Sequence, residues 1–321
     1  MQRRHFIATS VLGLLAASSA RADEWPSRAI RVIVPGGPGS PADVAIRAMQ
    51  DVLARELGQS IVVENRAGGQ GIIGVEATAK AAPDGYTIGM LTLQSAVTPA
   101  LRAKTPFDLQ RDFAAVAQLT TESPILLVRQ SLGVKTLAEL VALAKRQPGQ
   151  LTLGSAGAGT PSHLGMALLQ RAAGIELRHV PYRTIAAAVT DLSGGMVDVV
   201  LGGSSAAQQG LNGGRLVALA IAAPQRKKAF PDLPTLAEAG YPGVELRGWT
   251  GIVAPAGTPA SVVTRLQTAF AAALAEPAVV SRIGTAGSEA GGVAGPAFGA
   301  FVAAEARRWR QVVVEEKITQ D

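Results

Sequence analysis

The chain has 321 residues, 48% hydrophobic and 17% charged, with a formal net charge of +6. That length exceeds one ordinary domain, and the composition suits a well-buried α/β protein rather than a disordered one. With no cysteine there is no disulfide, no thiolate nucleophile and no sulfur-ligated metal, and the charge excess is too small to indicate a nucleic-acid partner.

Residues 1–22 read as an export signal. Arg3 and Arg4 precede an apolar run, Phe6 to Ala17, and then Ala20-Arg21-Ala22, the small-x-small pattern of a signal-peptidase site with cleavage before Asp23. The run is shorter than the ~20 residues that span a bilayer. Arg3-Arg4-His5-Phe6-Ile7 is also similar to a twin-arginine signal, with the general secretory route as the alternative. The expected location is therefore the periplasm. Loss of Arg3, Arg4 and Arg21 would lower the formal charge from +6 to +3. His5 would leave with them, so His163 and His179 would be the histidines of the mature chain. With no H-E-x-x-H or comparable spacing, no metal and no cofactor are expected.

Ile30 to Val34 reads as a strand ending at Pro35-Gly36-Gly37, and Val44, Ile46, Met49, Leu53 and Leu57 mark a helix from Asp43. A strand at Ile61 to Glu64, a helix at Gly71 to Ala82 and a strand at Tyr86 to Leu93 follow, the helix closed by Pro83-Asp84-Gly85. Such alternation predicts a largely parallel sheet covered on both faces. From Pro124 the pattern restarts: strand Ile125 to Val128, helix Thr136 to Arg146 with Glu139 at the capping-box position, and strand Leu151 to Leu153. Beyond a second glycine-rich loop come helix Ser162 to Ala173, strand Leu177 to Val180, a helix near Ala186 to Leu192, and strand Val197 to Leu201. A short capped helix is expected over Thr235 to Gly240, a strand over Trp249 to Val253, and long helices over Ala260 to Ala275 and Pro296 to Glu315.

The chemistry lies in two loops, Pro35 to Asp43 and Gly154 to His163, each following a short apolar run and opening onto a helix. A helix start preceded by small residues offers free N–H groups and a favourable dipole to an anion, so two such loops could clamp one carboxylate. The competing readings are structural: glycines that need positive φ, Asp43 and Thr160 as helix caps, His163 as a packing residue, Tyr182 buried, Arg47 and Arg183 at the surface. Arg183 is the one guanidinium considered for a distal carboxylate.

Several motifs together resemble the Bug family of extracytoplasmic solute receptors of tripartite tricarboxylate transporters. They are Pro35 through Asp43-Val44-Ala45-Ile46-Arg47; Asn65-Arg66-Ala67-Gly68 with Gly71-Ile72-Ile73-Gly74; Ala82-Pro83-Asp84-Gly85-Tyr86-Thr87; Gly154 through Thr160-Pro161-Ser162-His163-Leu164; His179-Val180-Pro181-Tyr182; Gly213-Gly214-Arg215-Leu216; and Pro231 through Thr235-Leu236-Ala237-Glu238-Ala239-Gly240. The resemblance implies an α/β, two-lobed type II periplasmic-binding-protein fold with two hinge crossovers. On this chain lobe 1 would be 23–124 plus 225–321 and lobe 2 would be 125–224. It implies a carboxylate held by Gly39, Ser40, Ala42 and Asp43 from the first loop and by Ser155, Ala156, Gly157, Gly159 and Thr160 from the second. His163, Tyr182 and Gly202 would stand beside them. The chain departs from the family pattern at Ser40-Pro41, where relatives continue in glycine, and at Gly202-Gly203-Ser204, where many carry an aspartate. The second departure favours a neutral or purely carboxylic ligand over an amino acid.

The implied partners are a small carboxylate and membrane transporter subunits, or a sensor protein in a signalling system, with the receptor a monomer and not an enzyme. A rival from another class is an exported hydrolase using Ser155 or Ser162 with His163. The absence of a G-x-S-x-G elbow weighs against it, as does the placing of Ser162 next to His163 on one helix, where their side chains would point apart.

Overall fold

The computed structural model describes residues 25–315 and 318. The proposed export signal, residues 1–22, lies outside the described residues. The chain opens with β1 (Ile30–Val34), α1 (Pro41–Leu57), β2 (Ile61–Asn65), α2 (Ile72–Ala79), β3 (Thr87–Thr92), α3 (Leu93–Leu101) and β4 (Phe113–Glu122). It continues through β5 (Ile125–Arg129), α4 (Leu137–Arg146), β6 (Thr152–Ser155), α5 (Pro161–Ala173), β7 (Arg178–Pro181), α6 (Ile185–Gly194), β8 (Val199–Gly202), α7 (Ser204–Asn212) and β9 (Leu216–Ile221). It ends with β10 (Gly248–Pro255), α8 (Ala260–Ala275), α9 (Pro277–Thr285), β11 (Glu289–Ala290) and α10 (Gly295–Glu315).

These elements form two lobes, each on its own sheet. One sheet has the order β11-β4-β10-β3-β1-β2, the other β7-β6-β8-β5-β9. Ser123 and Pro124 join β4 of the first sheet to β5 of the second, and residues 222–247 return the chain to β10. The expectation of a largely parallel sheet is corrected: β1 pairs in parallel with β2 and β3, and β6 with β7 and β8, but β10 is antiparallel to β3 and β4, and β5 is antiparallel to β8 and β9. The reversed strands adjoin the two crossings. A chain entering a sheet from the neighbouring lobe need not take the direction of βαβ units wound within it.

Two local expectations also change. Thr235 and Glu238 exchange capping bonds, Thr235 N–H to Glu238 Oε2 at 2.8 Å and Glu238 N–H to Thr235 Oγ1 at 3.0 Å, yet Leu236 to Gly240 form turns and no helix. Gly240 and Pro242 end the segment before a helix could propagate. At α4, Thr136 Oγ1 caps Glu139 N–H, while Glu139 accepts from Lys135 N–H rather than completing a reciprocal box.

Both long C-terminal helices pack on the first sheet, α8 against α1 and β4, α10 against α3 and β4. Within that packing the buried carboxylate of Glu305 accepts both indole N–H groups, from Trp249 at 3.2 Å and Trp309 at 3.1 Å. This satisfies three buried polar groups at once. A continuous apolar cluster runs from Leu126 and Val199 in the second sheet to Leu91, Trp249 and Phe298 against the first. Among the described residues no helix is long and apolar enough to cross a membrane.

Candidate functional site

The first loop leaves β1 at Val34 and enters α1 through Ser40, whose Oγ accepts the Asp43 N–H at 3.3 Å. Pro41 occupies the first helical position, where an N–H would have no intrahelical acceptor and a fixed φ costs nothing. Of the amides in this turn, Ala42 N–H has no hydrogen-bond partner among the described residues. Asp43 is 3% exposed and holds the loop: it accepts from Gly39 N–H, Asn65 Nδ2 and Arg47 Nε, each at 2.9 Å. Asn65 Nδ2 also donates to Gly36 O at 3.0 Å, and Arg47 Nη2 donates to Asn65 Oδ1 at 3.1 Å. Burial alone would raise the Asp43 pKa, but these donors and the guanidinium charge outweigh it and hold the carboxyl below its ordinary value. Gly39 takes the left-handed φ of +78° that the turn requires.

The second loop departs from β6 at Ser155 and enters α5 through Thr160 and Pro161, repeating the hydroxyl-then-proline entry of Ser40 and Pro41. Its internal bonding differs. Thr160 Oγ1 donates to Gly157 O at 2.7 Å and does not cap the helix. The amides of Ala156, Gly157 and Gly159 are taken by Ser162 Oγ (3.1 Å), Ser155 Oγ (3.0 Å) and His163 Nδ1 (3.1 Å). Ala158 and Ser162 N–H carry no partner among the described residues. Ser155 is fully buried and its Oγ lies 2.6 Å from His179 Nε2, and the rings of His163 and His179 stack at 4.2 Å between centroids.

Tyr182 donates its hydroxyl to Asp191 Oδ2 at 2.8 Å within the second lobe, and desolvation together with that carboxylate pushes its pKa up to about 12. Gly202 ends β8, where an added Cβ would meet Val189 and Leu127 at 3.3 and 3.4 Å. Arg47 is paired with Asp43, and Arg183 is exposed beyond β7.

A cavity of about 350 Å³ is lined by first-lobe residues, with Pro161 of the second lobe on one wall. Its walls include Ser40, Pro41 and Ala42 at the start of α1, Thr92, Leu93 and Gln94 at the start of α3, and Pro161 at the start of α5. Three helix N-termini therefore converge on one space, each presenting the positive end of its dipole. Gln70, another wall residue, reaches across from the first lobe, its Nε2 donating to Ala158 O at 3.3 Å from a backbone at φ +58°. Of the residues singled out in the sequence, Gly36, Ser40 and Ala42 form part of these walls, whereas Gly39, Asp43, Ser155, Ala156, Gly157, Gly159, Thr160, His163, Tyr182 and Gly202 do not; the second loop contributes Pro161.

Sequence reasoning missed α3, Asn65 as the anchor of the first loop, and His179 as the partner of Ser155. The Asn65 signal was present, since an asparagine closing a strand beside a glycine-rich loop can satisfy loop backbone groups.

Two α/β lobes, two crossings and an interlobe cavity faced by helix starts define a ligand-binding protein of the periplasmic type. Residues 45–318 match the tripartite tricarboxylate transporter family receptor, and the chain belongs to that family. BugT of Bordetella pertussis is 35% identical over 313 residues, covering 97% of this chain and 94% of that protein. Among solved structures, Rpa4515 of R. palustris with adipate superposes with a TM-score of 0.84 at 32% identity, covering 93% of this chain and all of that one. MatC of Rhodopseudomonas palustris with bound malate gives a TM-score of 0.78 at 32% identity, covering 90% of this chain and all of that one.

Proposed function

We propose that the chain is an exported receptor that captures a small organic acid between its lobes and delivers it to a membrane transporter, acting as a monomer in the periplasm after loss of residues 1–22. The observation that carries this reading is the convergence of three helix starts on one cavity. Ala42 and Ser162 N–H, free at matching places in the first turns of α1 and α5, would receive the carboxylate directly or through water, with Ala158 N–H beside them. The amides of Ala156, Gly157 and Gly159 shape the second loop instead. Closure needs no side-chain chemistry, only a higher affinity of the solute for the closed state.

The adipate and malate relatives support a di- or monohydroxy-dicarboxylate as ligand class. Gly202-Gly203-Ser204, with no acid at the end of β8, supports a ligand lacking an amino group. A hydrolase is disfavoured by burial: Ser155, which does meet a histidine, has no exposed surface, and a nucleophile must reach its substrate.

Thermal-shift screening against mono-, di- and tricarboxylates tests the proposal. An acid at about 100 times its dissociation constant is expected to add ~2.7 kcal/mol of stability. A panel in which no acid raises Tm, or turnover of an ester panel, would overturn it.

A further inference from the structure

The walls of the interlobe cavity contain a single ionisable side chain among the described residues, Glu122. It is the last residue of β4, one step before the Ser123-Pro124 crossing, and it also lines a second cavity of about 710 Å³. Its side chain lies across Gly248: a Cβ there would fall within 2.3 Å of Glu122 Cγ and 2.5 Å of Oε1, so the absence of a side chain at 248 gives the carboxyl its seat. No hydrogen bond or ion pair reaches this carboxyl among the described residues. The charged groups facing it from the second cavity are Arg226, Lys227, Lys228, Arg247 and Glu289. Arg226 is paired with Glu238 and Lys227 with Glu289, while Lys228 and Arg247 are exposed.

An unpaired carboxyl in a cavity built for an anion has a direct electrostatic consequence. If ionised, Glu122 opposes the attraction of the helix N-termini for a carboxylate and repels the solute itself. If neutral, it becomes an O–H donor inside the cavity. Glu122 is half-buried, and desolvation of its carboxyl pushes it above the ordinary range, against the opposing pull of the cations lining the second cavity.

We propose that Glu122 is a specificity-determining residue of this receptor, donating its carboxyl proton in a hydrogen bond to an oxygen of the captured acid, so that solute binding is coupled to proton uptake. The inference rests on the receptor reading above and adds to it a named group and a linked proton. In the cavity, carboxylate oxygens accept from the helix amides at one end of the solute and an oxygen accepts from Glu122 elsewhere. No covalent bond forms, and the proton comes from solvent. A solute that places an acceptor oxygen there is favoured over one that offers only a hydrocarbon face.

Isothermal titration calorimetry of the mature chain with adipate, in phosphate and in Tris across about pH 6.5–8, where adipate is a dianion, tests this. The parent is expected to take up about one proton per adipate wherever free Glu122 is ionised, with affinity falling toward tenfold per pH unit on the alkaline side. Glu122→Gln keeps the shape and supplies an N–H donor. It should bind adipate within a few-fold of the parent's acid-pH affinity, with no proton uptake and a flat pH profile. Proton uptake retained in Glu122→Gln, none in the parent, or a folded variant that fails to bind would each overturn the assignment. A parent that binds no acid from the wider panel would instead bring down the receptor reading, and this assignment with it.

Discussion

Ser40→Asp is expected to abolish carboxylate binding while leaving the fold intact. Ser40 caps α1 and lines the interlobe cavity. Aspartate is as good a cap as serine, and a negative charge at a helix start is favourable, so stability should hold or rise slightly. The same charge would occupy the field meant for the solute. Two unit charges about 4 Å apart repel by ~4 kcal/mol at an effective dielectric constant of ~20, which weakens binding by at least about two orders of magnitude. Melting the parent and variant with and without adipate separates the two effects: Tm without ligand unchanged or higher, and the ligand-induced rise gone. An undiminished rise in the variant would mean that the carboxylate binds away from the start of α1.

Asp43→Asn should harm both stability and binding, in a pH-dependent way. The carboxylate collects three donors, from Gly39, Asn65 and Arg47. An amide of the same shape loses the charge and turns an N–H₂ toward one of those donors. A loss of about 2 kcal/mol in unfolding free energy at pH 7 is expected, because the lost bonds were charge-assisted. Binding should weaken as well, since Ser40 and Ala42 would no longer be held in place. The native carboxyl is depressed below its unfolded value near 4, so its stabilisation is present above that value and is lost as pH falls through the lower folded value. Urea denaturation of parent and variant should therefore differ at pH 7 and converge toward pH 3. Equal stabilities at pH 7 would show that the first loop does not depend on this carboxylate.

What could be read from the sequence was mostly local. The two loops and the helices after them were legible because short β-rich runs stop at glycine, and Ile46, Met49, Leu53 and Leu57 keep helical spacing on a buried face, with Val44 half-buried beside it. The cap at Thr136 follows from the same nearest-neighbour chemistry, while the matching cap at Thr184 was not read. β4 was not legible. Phe113 to Glu122 is rich in alanine and carries Gln118, and these dilute the strand signal of Val116, Thr120 and Thr121; Thr120 finds its side-chain partner in distant Thr250, at 2.8 Å. The same holds for Glu122, whose significance depends on Gly248, more than a hundred residues away. His179 meets Ser155 only because β7 pairs with β6 in a register that sets His179 opposite Leu153, a non-local fact. The expected helix over Thr235 to Gly240 failed in the opposite way: its caps form, but the chain between them is too short to pass the helix nucleation cost.

The family match fixes the class of molecule, and the structure adds a physical account of how an acid could be held without a dedicated arginine. In that account the attraction comes from backbone groups at helix starts, tuned by the state of one carboxyl. Side-chain identity in the two loops serves mainly to shape them: Asp43, Ser155, Ser162 and His163 all bond to loop amides.

A crystal structure with a dicarboxylate bound is the most direct check. One carboxylate is expected between the first turns of α1 and α5, within hydrogen-bond reach of Ala42 and Ser162 N–H or joined to them by single waters. A carboxylate held instead by a guanidinium such as Arg183, with those two amides facing elsewhere, would contradict it.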